Sequence, residues 1–171
     1  GVHKGLEQAV NYLMPALFVL LLVMALYSGF NGDFAQAAEF MFKPDFSKLT
    51  VNGVLLALGH AFFSLSLASG AMMIYGAYLP TNVSIGKTTV LIALCDTAVA
   101  LLAGLAIFPL VFGYGLTPAE GPGLIFVTLP IAFGNMPGGA LIGPLFFLML
   151  VFAAFTSTIS MIESVVAWLF V

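Results

Sequence analysis

The stretch His60–Met73, HAFFSLSLASGAMM, lies near the middle of the long apolar segment formed by residues 51–79. Ser64, Ser66 and Ser69 fall within about two helical turns there. These residues weaken a helix, whereas the apolar residues on either side suffice for two half-helices. Broken membrane helices expose backbone groups that can bind ions and polar solutes, so the stretch predicts an interrupted helix beside a binding cavity. Close packing of two helices on the small residues is the alternative.

The composition is that of a membrane protein. Of the 171 residues, 62% are apolar and only 6% are charged, and the mean hydropathy of +1.18 lies far above that of soluble domains. Arginine is absent and lysine occurs four times, so the chain offers neither a basic surface for nucleic acid nor a polybasic patch for lipid headgroups. The single cysteine, Cys95, cannot form a disulfide within the chain.

Four stretches are long and apolar enough to cross a bilayer, which takes about 20 residues of helix. They lie at about residues 12–30, 51–79, 88–114 and 141–171, and we expect them to form one membrane domain over residues 1–171. Residues 116–137 are apolar in their middle but contain four prolines, which predicts short helices forming a lid or a re-entrant hairpin. The lysines divide equally between the two sides, so their charge does not orient the chain.

Several polar residues fall inside the predicted spans. Asp96 predicts either a cation pathway or a carboxyl group bonded to a neighbouring helix. Glu163 lies nearer the end of its span, where a carboxylate reaches the interface. Ala153, Thr156 and Ser157 share one helix face, where a carbonyl and two hydroxyl oxygens suit a hard cation. By spacing alone, hydroxyls that bond to the preceding turn or to another helix remain the simpler interpretation.

Four motifs occur together and in order: GHAFFSLSLASGAMMIYGAYLP, DTAVALLAGLAIFPLVF, GPGLIFVTLPIAF and FFLMLVFAAFTSTIS. They resemble the neurotransmitter:sodium symporter family, in particular its bacterial amino-acid transporters, over essentially the whole chain. The resemblance implies an all-α membrane protein with part of an inverted-repeat transporter fold. It would contain about four transmembrane helices, one of them interrupted, matching the family's fifth through eighth helices, and an extracellular helical lid. Because the chain starts without methionine and ends in an apolar run, we expect a fragment of a larger transporter.

The resemblance also implies roles for individual residues. Phe63 matches the aromatic side chain that closes over the bound amino acid, and Ser64 and Asp96 match ligands of one sodium ion. The carbonyl of Ala153 and the hydroxyls of Thr156 and Ser157 match the second sodium site. The residues expected to contact the substrate are Phe63, Ser64, Ser66, Ser69 and Met161.

This chain departs from the family pattern at three positions, two that concern ions and one that concerns the backbone. His60 stands where many members have a glutamine that helps to bind chloride in the animal transporters, and Ala100 replaces their chloride-site serine. Because the carboxylate of Asp96 can balance the charge of the cation, the sequence predicts transport that does not require chloride. His60 could alternatively titrate and couple protons. Ala68, where relatives often have glycine, restricts the backbone at the break.

Together these features predict a segment of a sodium-coupled amino-acid symporter that works by alternating access. Its expected partners are sodium ions, an amino acid or related solute, the lipid bilayer of a bacterial inner membrane, and the missing helices or a partner chain. The alternative is a non-transporting structural or regulatory fragment. An intramembrane enzyme would need a second carboxylate beside Asp96, whereas Glu163 lies at a different depth of its span. Contact of Asp96 with Ser64 rather than with a carboxylate would therefore exclude the enzyme.

Overall fold

The computed structural model describes residues 2–67, 70–80, 82–118 and 121–169, with only the backbone described for residues 2–10, 163, 164, 167 and 168. Within these ranges the chain forms helices and connections and no strand, which confirms the predicted all-α class. The helices are α1 (Val2–Asn31), α2 (Phe34–Phe42), α3 (Val51–Ser64), α4 (Ala71–Ala77), α5 (Ile85–Gly113), α6 (Leu129–Asn135) and α7 (Gly139–Leu169).

Three helical stretches are long and apolar enough to cross a membrane: Asn11–Asn31, Ile85–Gly113 and Gly139–Ile162. Each of the helices that contain them, α1, α5 and α7, includes one internal proline. The predicted span over residues 51–79 takes a different form, because α3 ends after 14 residues and α4 follows as a separate helix of 7 residues. The interruption predicted from the serine-rich stretch is therefore confirmed.

The connection between the first two predicted spans has more structure than its polar composition indicates. Asp33 caps α2 by accepting a hydrogen bond from the backbone N–H of Gln36 at 2.9 Å, which satisfies one of the free donors of the first helical turn. Near the end of α2 the Lys43 ammonium pairs with the Glu39 carboxylate at 2.5 Å. This hydrogen bond and the positive charge of Lys43 lower the pKa of Glu39. A 3₁₀ turn, Phe46–Lys48, completes the connection to α3.

The chain divides into two compact units. The first consists of Gly1–Lys43 and Ala100–Thr156 and the second of Pro44–Val99 and Ser157–Val171. The first unit contains an apolar core contributed by α1, α5, α6 and α7, whose members are Leu21, Met24, Ala106, Leu110, Val111, Leu129, Phe133, Met136, Ile142, Phe146 and Met149. Phe40 of α2 adds edge contacts with the rings of Phe108 and Phe112 on α5.

Glycine allows α1 and α5 to approach closely in the first unit. The backbone N–H of Asp33 donates a hydrogen bond to the carbonyl of Pro109 at 2.8 Å. A Cβ atom on Gly32 would overlap this carbonyl and lie 2.8 Å from the backbone nitrogen of Leu110. No side chain fits between the two backbones, so glycine is required at position 32.

Residues 116–137, for which the sequence predicts a lid, contain a π-helical segment, Leu124–Thr128, that continues into α6. Pro130 stands in the first turn of α6, where its missing N–H costs little. The Tyr27 hydroxyl of α1 donates a hydrogen bond to the carbonyl of Pro137 in the turn between α6 and α7. This bond joins the turn after α6 to α1 within the first unit.

Candidate functional site

The candidate site is built around the break between α3 and α4 in the second unit. The N–H of Ser66 donates to the carbonyl of Phe63, and the N–H of Leu67 donates to the carbonyl of Phe62, both at 3.0 Å. These two bonds form the Schellman arrangement that ends a helix. Its left-handed position usually takes glycine, but here Ser66 occupies it with φ 54°. The α3 helix is therefore ended by a specific turn and does not fray.

On the other side of the break α4 begins after Gly70, which also has a left-handed backbone with φ 73°. Glycine adopts this conformation without the steric cost that other residues meet. Ala68 and Ser69, between the two helix ends, lie outside the described residues. The restriction expected from Ala68 and the substrate contact expected of Ser69 therefore stay predictions.

The last residue of α3 is joined to the middle of α5. The Ser64 hydroxyl oxygen lies 2.9 Å from Oδ1 and 2.7 Å from Oδ2 of Asp96. One hydroxyl hydrogen is thus shared between two carboxylate oxygens, and a hydrogen bond to an ionised acceptor is about twice as strong as a neutral one. Among the described side chains, Asp96 contacts a hydroxyl and no second carboxylate. The two residues predicted to share a sodium ion are therefore brought together.

The remaining residues predicted to contact substrate lie in the same unit. Phe63 at the end of α3 is 80% exposed and Met161 on α7 is 60% exposed, so each offers apolar surface to a ligand or to another segment. Ser66 is exposed at the left-handed position of the break. The substrate contacts of Phe63, Ser66 and Met161 stay predictions.

The residues predicted for the second sodium site lie on α7. The side chain of Thr156 is buried, with 3% of its surface exposed. Its hydroxyl donates to the carbonyl of Ala153 at 3.0 Å and to that of Phe152 at 3.1 Å. Ser157 follows on the same helix and is exposed. The carbonyl of Ala153 and the hydroxyl of Thr156 are thus adjacent, in the back-bonded arrangement that the spacing also allowed.

Three further residues named from the sequence have different surroundings. His60 is exposed on α3, one turn before Ser64. Ala100 is exposed on α5, one turn after Asp96. The side chain of Glu163 lies outside the described residues.

Sequence reasoning did not predict an open apolar cavity of about 560 Å³ in the first unit. It lies between α6 and the first turns of α7, where the rings of Phe133 and Phe147 and several glycines and prolines form its walls. The sequence signal for it is the cluster of glycines and prolines in NMPGGALIGP, which by itself predicted only short helices.

Comparison with known proteins decides the family. The model of the family described as "SNF: Sodium:neurotransmitter symporter family" matches residues 1–170. The chain belongs to the sodium:neurotransmitter symporter family. This confirms the resemblance drawn from the four motifs. It also confirms that the chain is not part of an enzyme, because the family is one of symporters.

Relatives in the sodium:neurotransmitter symporter family come from bacteria and animals. An uncharacterized sodium-dependent transporter of Bacillus subtilis (strain 168) is 42% identical over 167 residues, which are 98% of this chain and 37% of that protein. The sodium- and chloride-dependent creatine transporter 1 of Homo sapiens is 28% identical, over 98% of this chain and 28% of that protein.

A solved structure has the same fold. The crystal structure of MhsT in complex with L-phenylalanine matches 95% of this chain with a TM-score of 0.81 and 44% identity, and the match covers 37% of MhsT. The predicted partial transporter fold is thereby confirmed. Together with the three long apolar helices, the family assignment makes this an integral membrane protein. The chain spans little more than a third of the length of the bacterial relative and of MhsT.

Proposed function

We propose that the chain forms part of a sodium-coupled amino-acid symporter that works by alternating access, and that it supplies part of the substrate site and of two sodium sites. The observation that carries the proposal is the hydrogen bond between Ser64 and Asp96, beside the break between α3 and α4. A carboxylate at membrane depth is costly unless it has a functional partner. At a helix break the backbone carbonyl groups can bind a cation, and the carboxylate adds a full negative charge beside them.

The first sodium ion would bind Asp96 together with the Ser64 hydroxyl. The two carboxylate oxygens now share the hydroxyl hydrogen of Ser64. A cation can replace this hydrogen, because the hydroxyl can rotate and turn its lone pairs toward the ion. The carboxylate would also balance the ion's charge, which supports transport without chloride.

The second sodium ion would bind on α7, at the carbonyl of Ala153 and the hydroxyls of Thr156 and Ser157. The oxygens of Ala153 and Thr156 are 3.0 Å apart. That spacing suits neighbouring ligands of a cation bound at about 2.3–2.6 Å, which is the range of Ca²⁺–oxygen distances, and the radius of Na⁺ is close to that of Ca²⁺. Rotation of the Thr156 hydroxyl would free both oxygens for the ion.

The substrate would lie against the break, in contact with Phe63, Ser64, Ser66, Ser69 and Met161. The apolar surfaces of Phe63 and Met161 favour an amino acid with an apolar side chain, and the match to MhsT, solved with L-phenylalanine, supports this class. Substrate and sodium would stabilise the same closed state, so that each strengthens binding of the other.

The large apolar surface of the chain would be covered by two partners. These are the remaining helices of a full-length transporter and the lipid of a bacterial cell membrane. Support comes from the exposed apolar side chains along α1, α3, α5 and α7 and from the greater length of the bacterial relative. The region of residues 116–137 would then act as the extracellular lid.

The test is binding of tritiated L-phenylalanine to the full-length transporter, purified in detergent, in sodium and in potassium buffers. A panel of unlabelled amino acids then competes for the site, and a chloride-free gluconate buffer tests the chloride expectation. The proposal expects saturable binding in sodium only, displaced best by apolar amino acids and unchanged in gluconate. If sodium produced no saturable binding, and no unlabelled amino acid displaced the label, the result would favour the alternative of a non-transporting fragment.

A further inference from the structure

Ser28 of α1 is a fully buried polar residue to which the proposed symport function gives no task. None of its surface is exposed, and its hydroxyl oxygen has no hydrogen-bond partner among the described residues. The burial arises within this chain, so the side chains of further helices cannot reach the hydroxyl either. Native proteins generally satisfy a buried polar group with a protein atom or an ordered water, because an unsatisfied one is costly. The partner of this hydroxyl therefore lies in the interior of the first unit.

The neighbouring helix α5 contains an acceptor that lacks its usual donor. Proline has no N–H, so Pro109 cannot donate to the carbonyl of Leu105, the group four residues earlier in a regular helix. Leu105 and Pro109 share one helix face, and the side chain of Pro109 is fully buried. In membrane helices, carbonyls freed by proline are satisfied by serine or threonine of a neighbouring helix or by ordered water.

The close approach at Gly32 brings these two groups to the same level. A Cβ atom on Gly32 would overlap the carbonyl of Pro109. The N–H of Gly32 donates to the carbonyl of Ser28 at 2.9 Å, so Ser28 lies one helical turn before this contact. Leu105 lies one turn before Pro109. Both helices end near the contact, and the core residues that precede it on α1 and α5 belong to one cluster. The two helices therefore run in the same direction, with Ser28 opposite Leu105.

We propose that the Ser28 hydroxyl and the Leu105 carbonyl bind one buried water molecule between α1 and α5. The hydroxyl reaches no described acceptor directly, and a bridging water spans a longer gap. The hydroxyl donates to the water oxygen, and the water donates to the carbonyl, which gives the water two of the two to four polar partners that it needs. Ser28 is thus a positioning residue that replaces, through the water, the donor that Pro109 lacks. The N–H of Asp33 already serves the carbonyl of Pro109 itself, at 2.8 Å.

A double-mutant cycle tests the site, with thermal unfolding of the full-length transporter in detergent as the measurement. Ser28→Ala is expected to lower the unfolding temperature of the wild type by an amount on the order of 2 °C. In Pro109→Ala, where the new N–H bonds to the Leu105 carbonyl, the same substitution should cause little or no further loss. Pro144→Ala, which replaces the internal proline of α7, is the control. In that background Ser28→Ala should lower the unfolding temperature as much as it does in the wild type.

Two results of the cycle would overturn the inference. An unchanged or raised unfolding temperature of Ser28→Ala would show that the hydroxyl has no partner, and an equal loss in the wild type and in Pro109→Ala would show a partner other than the Leu105 carbonyl. A second measurement needs no variant. A crystal structure of the wild-type full-length transporter, at a resolution that shows ordered waters, should place one within hydrogen-bond distance of both groups. Density without that water would also overturn the inference. Neither measurement involves sodium or substrate, so their failure leaves the proposed function intact.

Discussion

The hydroxyl of Ser64 lies 2.9 and 2.7 Å from the two carboxylate oxygens of Asp96, although the two residues are 32 positions apart in the sequence. This contact joins the end of α3 to the middle of α5, at the point where the chain leaves helical geometry. It places a carboxylate, a hydroxyl and the carbonyl end of a helix together, and all three can bind a cation.

Replacing Ser64 with alanine should weaken sodium binding. The variant removes one cation ligand and the hydroxyl that orients Asp96, and a hydrogen bond to a charged group contributes about 1.5–3 kcal/mol. We expect roughly a tenfold loss of apparent sodium affinity, measured by ²²Na⁺ binding to the full-length transporter. Thr97→Ala is the matched control on α5, because the Thr97 hydroxyl bonds to the carbonyl of Ala93 on its own helix. Equal losses in both variants would refute a specific role of Ser64.

Replacing Thr156 with valine should impair the second sodium site. Valine keeps the shape of this buried side chain but removes the hydroxyl that lies 3.0 Å from the carbonyl of Ala153. We expect the sodium concentration required for half-maximal amino-acid binding to rise roughly tenfold, equivalent to about 1.4 kcal/mol. Thr89→Val is the control, since Thr89 also bonds to a carbonyl one turn earlier but has no predicted ion role. An unchanged sodium requirement in Thr156→Val would remove this residue from the site.

The left-handed backbone of Ser66 predicts an unusual order of stabilities. Glycine adopts this conformation freely, whereas a residue with a Cβ atom meets a cost of about 1–2 kcal/mol, and a branched side chain meets more. We therefore expect Ser66→Gly to keep or raise the thermal unfolding temperature in detergent and Ser66→Val to lower it. An equal decrease in both variants would contradict the backbone assignment.

The approach of α1 to α5 predicts that Gly32→Ala destabilises the first unit. The new methyl group would overlap the carbonyl of Pro109, and overpacking of this kind costs about 1–3 kcal/mol. Gly134→Ala on α6 is the control, because a Cβ atom there meets no atom within 4 Å. Thermal unfolding in detergent should show a clear loss for Gly32→Ala and little change for Gly134→Ala. Wild-type stability of Gly32→Ala would show that the two backbones are farther apart.

The break itself could be predicted from the sequence because its signals are local. Serines and glycine at membrane depth weaken a helix, and Gly70 occupies a left-handed position that glycine favours. The left-handed conformation of Ser66 could not be predicted in the same way, since serine has no strong preference for it. The backbone conformation of Ser66 is determined by the turn that ends α3.

Contacts between distant parts of the chain were less predictable. The pairing of Ser64 with Asp96 followed from the family resemblance, because hydropathy places both residues at membrane depth without specifying which helices pack together. The bond from Tyr27 to the carbonyl of Pro137 joins residues 110 positions apart, and no spacing rule predicts it. The α2 helix was missed because it has only 9 residues and lies in a connection, residues 31–50, that contains five charged residues, so it did not stand out from a polar connection.

The central claim is that Asp96 holds a sodium ion required for substrate binding. The most direct measurement is a sodium titration of tritiated amino-acid binding to the full-length transporter, with Asp96→Ala beside the wild type and Thr97→Ala as the control. We predict that Asp96→Ala loses sodium-dependent binding or requires at least about tenfold more sodium, a difference of about 1.4 kcal/mol, while the control behaves as the wild type does. An Asp96→Ala variant with the wild-type sodium dependence would contradict the account.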